Sequence, residues 1–83
     1  MATLETLPNI GTVLAGRLRA AGIASAENLQ MLGDAEAFRR IQHVLPDDAC
    51  VSTRYALAGA VHGVRWHKLD ETLRQTLAAE ARR

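Results

Sequence analysis

The segment of this chain whose residue types and spacing best suit chemistry is the run Leu7–Gly11, which could bind an anion through the main chain. A glycine in a tight hairpin lets the backbone approach a phosphate, and the free amides in the first turn of a following helix attract negative charge. Those amides would lie near Gly11, Thr12 and Val13. Contacts of this kind are made to phosphates and carry no base sequence information.

The wider spacing around this run is that of a helix-hairpin-helix element, in which Leu7–Gly11 is followed by Leu18, Gly22, Ile23, Ser25 and Leu29. Asn9 replaces the first hairpin glycine of the motif, and it tolerates left-handed geometry. Val13 replaces the basic residue that commonly follows, so charge would come from Arg17 and Arg19 farther along the helix. The candidate DNA-backbone residues are therefore Asn9, Gly11, Thr12, Val13, Arg17 and Arg19.

The same pattern is also a general way to pack two short helices without any ligand. In that interpretation the apolar residues Ile10, Leu18, Ile23 and Leu29 form part of the core. The two interpretations are compatible, because a helix-hairpin-helix scaffold persists even where its DNA contacts have been lost.

Other chemistry finds little support in the sequence. The residues of types that bind metals are Cys50, His43, His62 and His67. They include no C-x-x-C pair, and a predicted helix end lies between His62 and His67. No nucleophile motif, Walker-type nucleotide-binding loop or acid pair on an interpretable spacing is present. We therefore predict a protein that is not an enzyme, with no catalytic residue, metal, cofactor or small-molecule substrate.

The composition limits the class of protein. A chain of 83 residues, 48% hydrophobic, predicts one domain over 1–83, and a net charge of +1 disfavours strong non-specific DNA binding. The single cysteine, Cys50, excludes an intramolecular disulfide and indicates a reducing compartment.

The N-terminus lacks a signal-peptide pattern, and the longest small apolar run, Ala56–Val61, is too short to span a bilayer. We expect a cytoplasmic protein that contacts no membrane.

Helical stripes of apolar residues separated by single breaking residues predict an all-α bundle of about five short helices without strands. The first helix is predicted from Thr12 to Ala21. The expected helix-ending residues are Gly22, Gly33 and Pro46, and the expected N-caps of the later helices are Ser25, Asp34, Ser52 and Asp70.

The fourth helix and the segment after it carry two further expectations. Leu57, Val61 and Val64 would form a buried stripe, beside a smooth face of small residues, Ala56, Ala60 and Gly63, that permits close helix packing. The only tryptophan, Trp66, is expected to be mostly buried, because the chain has few other large side chains to complete a core.

These residues together resemble the C-terminal domain of the TfoX (Sxy) family from about Leu7 to Leu77. The resemblance is carried in order by the Asn9–Gly11 hairpin, Leu18, Gly22, Ile23, Ser25, Leu29, Gly33, Phe38, Tyr55, Ala56, Leu57, Ala60, Gly63, Trp66 and Leu69. It implies a helical, SAM-domain-like fold with no known catalytic residues. It also implies a bacterial protein linked to competence, that is, to transcriptional regulation of DNA uptake genes, and no defined ligand.

Two functional hypotheses remain open from the sequence. One is a regulatory domain with at most weak affinity for the DNA backbone, and the other is a pure protein-interaction module, including a homodimer. Basic residues would form one positive patch if the third and fourth helices pack side by side: Arg39, Arg40, Arg54, Arg65 and Lys68. A positive surface around Gly11 would favour DNA, whereas an exposed apolar patch with a polar rim would favour a protein partner.

Overall fold

The computed structural model describes all residues 1–83 as a bundle of five α-helices with no strand, which confirms the predicted fold class. The helices are α1 Thr12–Ala20, α2 Ala26–Leu32, α3 Asp34–Ile41, α4 Cys50–His62 and α5 Glu71–Ala81. Short 3₁₀ turns lie at Leu4–Thr6, Gln42–Val44, Asp47–Ala49 and Trp66–Lys68.

Several helix ends follow from local chemistry, as the sequence predicts. After α1, Gly22 adopts φ +86°, and the Ile23 amide donates to the Leu18 carbonyl at 2.9 Å, which closes the helix. The Ser25 hydroxyl accepts from the Asn28 amide at 3.1 Å and caps α2. In the same way the Asp70 carboxylate accepts from amides in the first turn of α5.

Two expected caps are wrong. Asp34 is the first residue of α3 and caps nothing, because its carboxylate binds the Arg54 guanidinium at 2.5 Å. Ser52 lies inside α4, which begins at Cys50 as a continuation of the preceding 3₁₀ turn. Its hydroxyl donates to the Ala49 carbonyl at 3.2 Å, so it bonds back to the preceding turn and does not cap the helix.

The core lies between α4 and the helices on either side of it. Leu57 is fully buried there, with Phe38 and Ile41 of α3. The apolar residues of the hairpin segment, Ile10, Leu18, Ile23 and Leu29, belong to the same core cluster, as the packing interpretation predicts. A smaller cluster of Ala58, Leu69 and Leu77 fixes α5 against α4.

The segment after α4 differs from the prediction. Gly63 ends α4 at φ +77° and is not part of a packed small face, and Val64 lies beyond the helix at the surface. Trp66 keeps 43% of its surface exposed, so the expectation that it is mostly buried is wrong. Leu69 enters the core instead, because the 3₁₀ turn Trp66–Lys68 directs the chain outward before Leu69 returns to α4.

Candidate functional site

The hairpin before α1 has the backbone geometry that the sequence predicts. Asn9 adopts φ +70° and is the only non-glycine residue of the chain with positive φ. The Ile10 amide donates to the Leu7 carbonyl at 3.4 Å, and Gly11 then begins α1 from an extended conformation. The chain therefore turns sharply and enters the helix at Gly11.

The Asn9 side chain is engaged inside the protein. Its Nδ2 donates to the Val64 carbonyl at 3.0 Å and to the Ala56 carbonyl at 3.4 Å. Its Oδ1 accepts from the Trp66 amide at 3.1 Å. Asn9 thus joins the hairpin to α4 and to the turn after it, and its amide is not free to contact a ligand.

The first turn of α1 has no side-chain cap and no acidic residue, whereas α2 and α5 have both. Val13 is 68% exposed there. The amides of Thr12 and Val13 therefore keep the partial positive charge of a helix N-terminus without a side chain to neutralise it.

Arg19 and Arg17 do not extend this positive region. The Arg19 guanidinium binds both carboxylate oxygens of Glu5, at 2.6 and 3.2 Å, and this hydrogen bonding lowers the pKa of Glu5 below its ordinary value. Arg17 lines a separate depression of about 460 Å³ with Arg39 and Arg40.

The charges of that second depression are also partly compensated. Arg39 and Arg40 both bind the Glu36 carboxylate, and their hydrogen bonds lower the pKa of Glu36 to about 2. Arg54 is absent from the surface altogether, because its side chain is only 4% exposed and is paired with acids of α3 and α5. The single basic patch that the sequence suggested is therefore not formed.

Arg65 is the cation that the structure places at the hairpin. It lines a depression of about 530 Å³ together with Asn9, Gly11 and Glu5, and it takes part in none of the ion pairs. Its position depends on the bonds between Asn9 and the turn after α4, residues that are far apart in sequence. No local pattern could have indicated this contact.

No group of three or more His, Cys, Asp or Glu side chains is gathered in a way that suits a metal ion. No helix has both the length and the apolar character needed to cross a membrane.

Comparison with known proteins agrees with this geometry. Residues 1–81 match the family model of the TfoX C-terminal domain. Over 74 residues the chain is 30% identical to the DNA transformation protein TfoX1 of Aliivibrio fischeri, covering 89% of this chain and 35% of that protein. The chain thus spans about a third of the length of this relative.

Two solved structures share both the fold and the sequence. A triclinic crystal form of an uncharacterized protein from Listeria monocytogenes is 47% identical, with a TM-score of 0.83 over 92% of this chain and 85% of that one. A tetragonal form of a protein of unknown function from the same organism is 47% identical, with a TM-score of 0.81 over 90% of each chain. From the family match, the relative and the shared fold, the chain belongs to the TfoX C-terminal domain family.

Proposed function

We propose that this TfoX-related regulatory module acts in the cytoplasm, without catalysis, by binding the phosphate backbone of duplex DNA weakly and with no sequence preference. The observation that carries the proposal is that the uncapped start of α1 at Gly11 and the unpaired Arg65 border one depression. Main-chain amides and a guanidinium are the donors that bind phosphate oxygens in proteins.

The charge balance of the depression supports weak binding. Glu5 also lines it, but Arg19 holds that carboxylate, so its repulsion of a phosphate is reduced. Arg65 and the amides of α1 would neutralise on the order of two phosphates, which corresponds to a log–log salt slope of roughly −2. The affinity belongs in the usual non-specific range, a Kd of about 10⁻⁴ to 10⁻⁶ M.

The test is a titration of labelled duplexes of unrelated sequence at low and moderate salt. Arg65→Ala should weaken binding to every duplex and reduce the salt slope by about 1. Arg82→Ala removes the same charge from the exposed end of α5 and is the matched control, with little expected effect. Absence of binding to any duplex at low salt, or equal effects of the two variants, would overturn the proposal.

A protein-interaction module, including a homodimer, is the second candidate. The observation that favours it is Val13, an apolar side chain that is 68% exposed where the helix-hairpin-helix motif usually has a basic residue. A contiguous apolar patch with a polar rim is typical of a protein interface, and Val13 would belong to such a patch.

Substitutions at Val13 separate the two candidates. If the hairpin binds DNA, Val13→Lys adds a cation beside the amides and should tighten duplex binding. If Val13 lies in a homodimer interface, the same change should dissociate the dimer, which sedimentation velocity of the wild type and the variant would detect.

A further inference from the structure

Trp66 forms an exposed aromatic surface beside the hairpin. The Tyr55 ring stacks on the indole with centroids 5.7 Å apart and planes 13° from parallel, and the His67 ring meets it edge-on at 5.9 Å. Trp66 nevertheless keeps 43% of its surface exposed. The stack therefore fixes the orientation of the indole while leaving much of the ring open to solvent.

The charged residues in the segment that carries this ring are basic. Arg65 and Lys68 flank it in the segment Arg65–Lys68, both are exposed, and neither takes part in an ion pair. The nearest acid along the chain, Asp70, has its carboxylate bound to amides of α5. A ligand at Trp66 therefore meets Arg65, which lines the same depression, and the next cation along the chain, Lys68, is also exposed and outside the ion pairs.

The ring also borders a depression of about 440 Å³ that Arg65 shares with the hairpin depression. Its polar lining includes Ser52, Thr53 and His67, and no acidic residue lines it. A neutral or acidic peptide would use the cations, but it would leave the open indole face without a planar partner. A nucleobase has such a face, and its phosphates match the cations.

We propose that this surface binds single-stranded nucleic acid, with one base stacked on Trp66 and the adjacent phosphates paired with Arg65 and Lys68. The inference rests on the proposed function, because it extends the same hairpin face from duplex backbone to an unpaired strand. Base stacking is largely independent of sequence, so the preference is for unpaired strands and not for a particular base.

Because Trp66 is the only tryptophan, its fluorescence reports directly on the surface. Oligothymidylate should quench this fluorescence with saturation. An abasic oligomer of equal length and inorganic polyphosphate supply phosphates without bases, and they should bind more weakly with little quenching. Equal quenching by the abasic oligomer would overturn the stacking step, and no quenching by any nucleic acid would overturn the whole inference.

Variants test the same step by a second readout, anisotropy of a labelled oligothymidylate. Trp66→Ala should lower the affinity about tenfold or more, and Trp66→Phe should restore part of it, as expected for loss of one stacked base. Lys68→Ala should weaken binding and lower its salt dependence, whereas Arg82→Ala should not. Circular dichroism of each variant verifies that the helices remain.

Failure of this inference is distinguishable from failure of the proposed function. Trp66→Ala keeps the backbone amide that Asn9 holds, so duplex binding at the hairpin should be unchanged. Duplex binding with an unaltered single-strand affinity in Trp66→Ala would overturn only the Trp66 surface. Quenching by oligothymidylate without any duplex binding would overturn only the duplex proposal.

Discussion

Asn9 combines two properties at one position. Its backbone occupies the left-handed region, which a short polar side chain tolerates, and its amide group bonds three main-chain atoms of α4 and the following turn. A glycine would supply the first property and none of the second. The residue that departs from the hairpin motif therefore joins the hairpin to α4 and the following turn by side-chain hydrogen bonds.

Two variants separate these properties. Asn9→Gly keeps the turn and removes the side-chain bonds, so it should lower the free energy of unfolding by about 2 kcal/mol. Asn9→Ala loses the same bonds but, unlike the glycine variant, keeps a Cβ at positive φ, and it should therefore be roughly 1 kcal/mol less stable than Asn9→Gly. Urea denaturation measures both. Wild-type stability in Asn9→Gly would mean that the three bonds contribute nothing.

Trp66 and Arg65 show why the candidate site was only partly predictable. The hairpin residues lie together in sequence, so their spacing alone indicated the turn and the free amides. The position of Arg65 depends on the bonds of Asn9 to Val64 and Trp66, and Trp66 is exposed whereas Leu69 is buried against α4. Both are outcomes of packing between distant segments, which a local pattern cannot contain.

At the scale of elements, the expected N-caps were correct where the bonding is local and wrong at Asp34, where a distant residue intervenes. Ser25 and Asp70 bond amides within three residues, and their role was readable from sequence. Asp34 has the same capping chemistry, but a distant arginine binds its carboxylate. The number of helices was predictable because each apolar stripe is local, whereas their starting residues depend on such competing partners.

A close approach of the hairpin to α4 occurs at Gly59, a residue outside the small face predicted from Ala56, Ala60 and Gly63. A Cβ at Gly59 would lie 2.6 Å from the Val64 carbonyl oxygen and would also contact the Asn9 amide. Gly16 is helical too, in α1, but a Cβ there meets nothing within 4 Å. The two glycines therefore form a matched pair for testing how closely the hairpin packs on α4.

Alanine at these positions should have opposite effects. Gly16→Ala should raise the free energy of unfolding by about 0.5 to 1 kcal/mol, because alanine loses less backbone entropy than glycine when a helix forms. Gly59→Ala gains the same helix propensity, but its Cβ forces the Asn9 contacts apart. The free energy of unfolding should therefore fall by roughly 1 to 2 kcal/mol. Thermal unfolding should raise the Tm of the first variant and lower that of the second. A higher Tm in both variants would show that the hairpin can move away from α4 without loss of stability.

At the scale of the whole molecule, one buried cation joins the last three helices, α3, α4 and α5. Arg54 of α4 binds Asp34 of α3 at 2.5 Å and Glu80 of α5 at 2.9 Å. Its guanidinium also lies 5.9 Å from the centre of the Phe38 ring. An arginine that the sequence suggested for a surface patch instead sits where three helices meet, since its planar fork binds two carboxylates at once.

Removing this cation should destabilise the bundle more than removing a surface arginine. Arg54→Met keeps much of the side-chain volume but leaves two partly buried carboxylates facing each other, which should cost about 3 kcal/mol. Arg39→Met breaks an exposed pair with Glu36 and should change the stability little, so it is the matched control. Urea denaturation of both variants measures the difference.

The triple variant Arg54→Met, Asp34→Asn, Glu80→Gln tests the cause of that loss. If the cost arises from carboxylates without a counter-ion, neutralising both acids should restore part of the stability that Arg54→Met removes, as for other buried ion networks replaced as a unit. If it arises from lost packing against Phe38, the triple variant should be no more stable than Arg54→Met. Recovery in the triple variant would therefore show that Arg54→Met is destabilised by two carboxylates without a counter-ion, and no recovery would assign the loss to packing of the Arg54 side chain against Phe38.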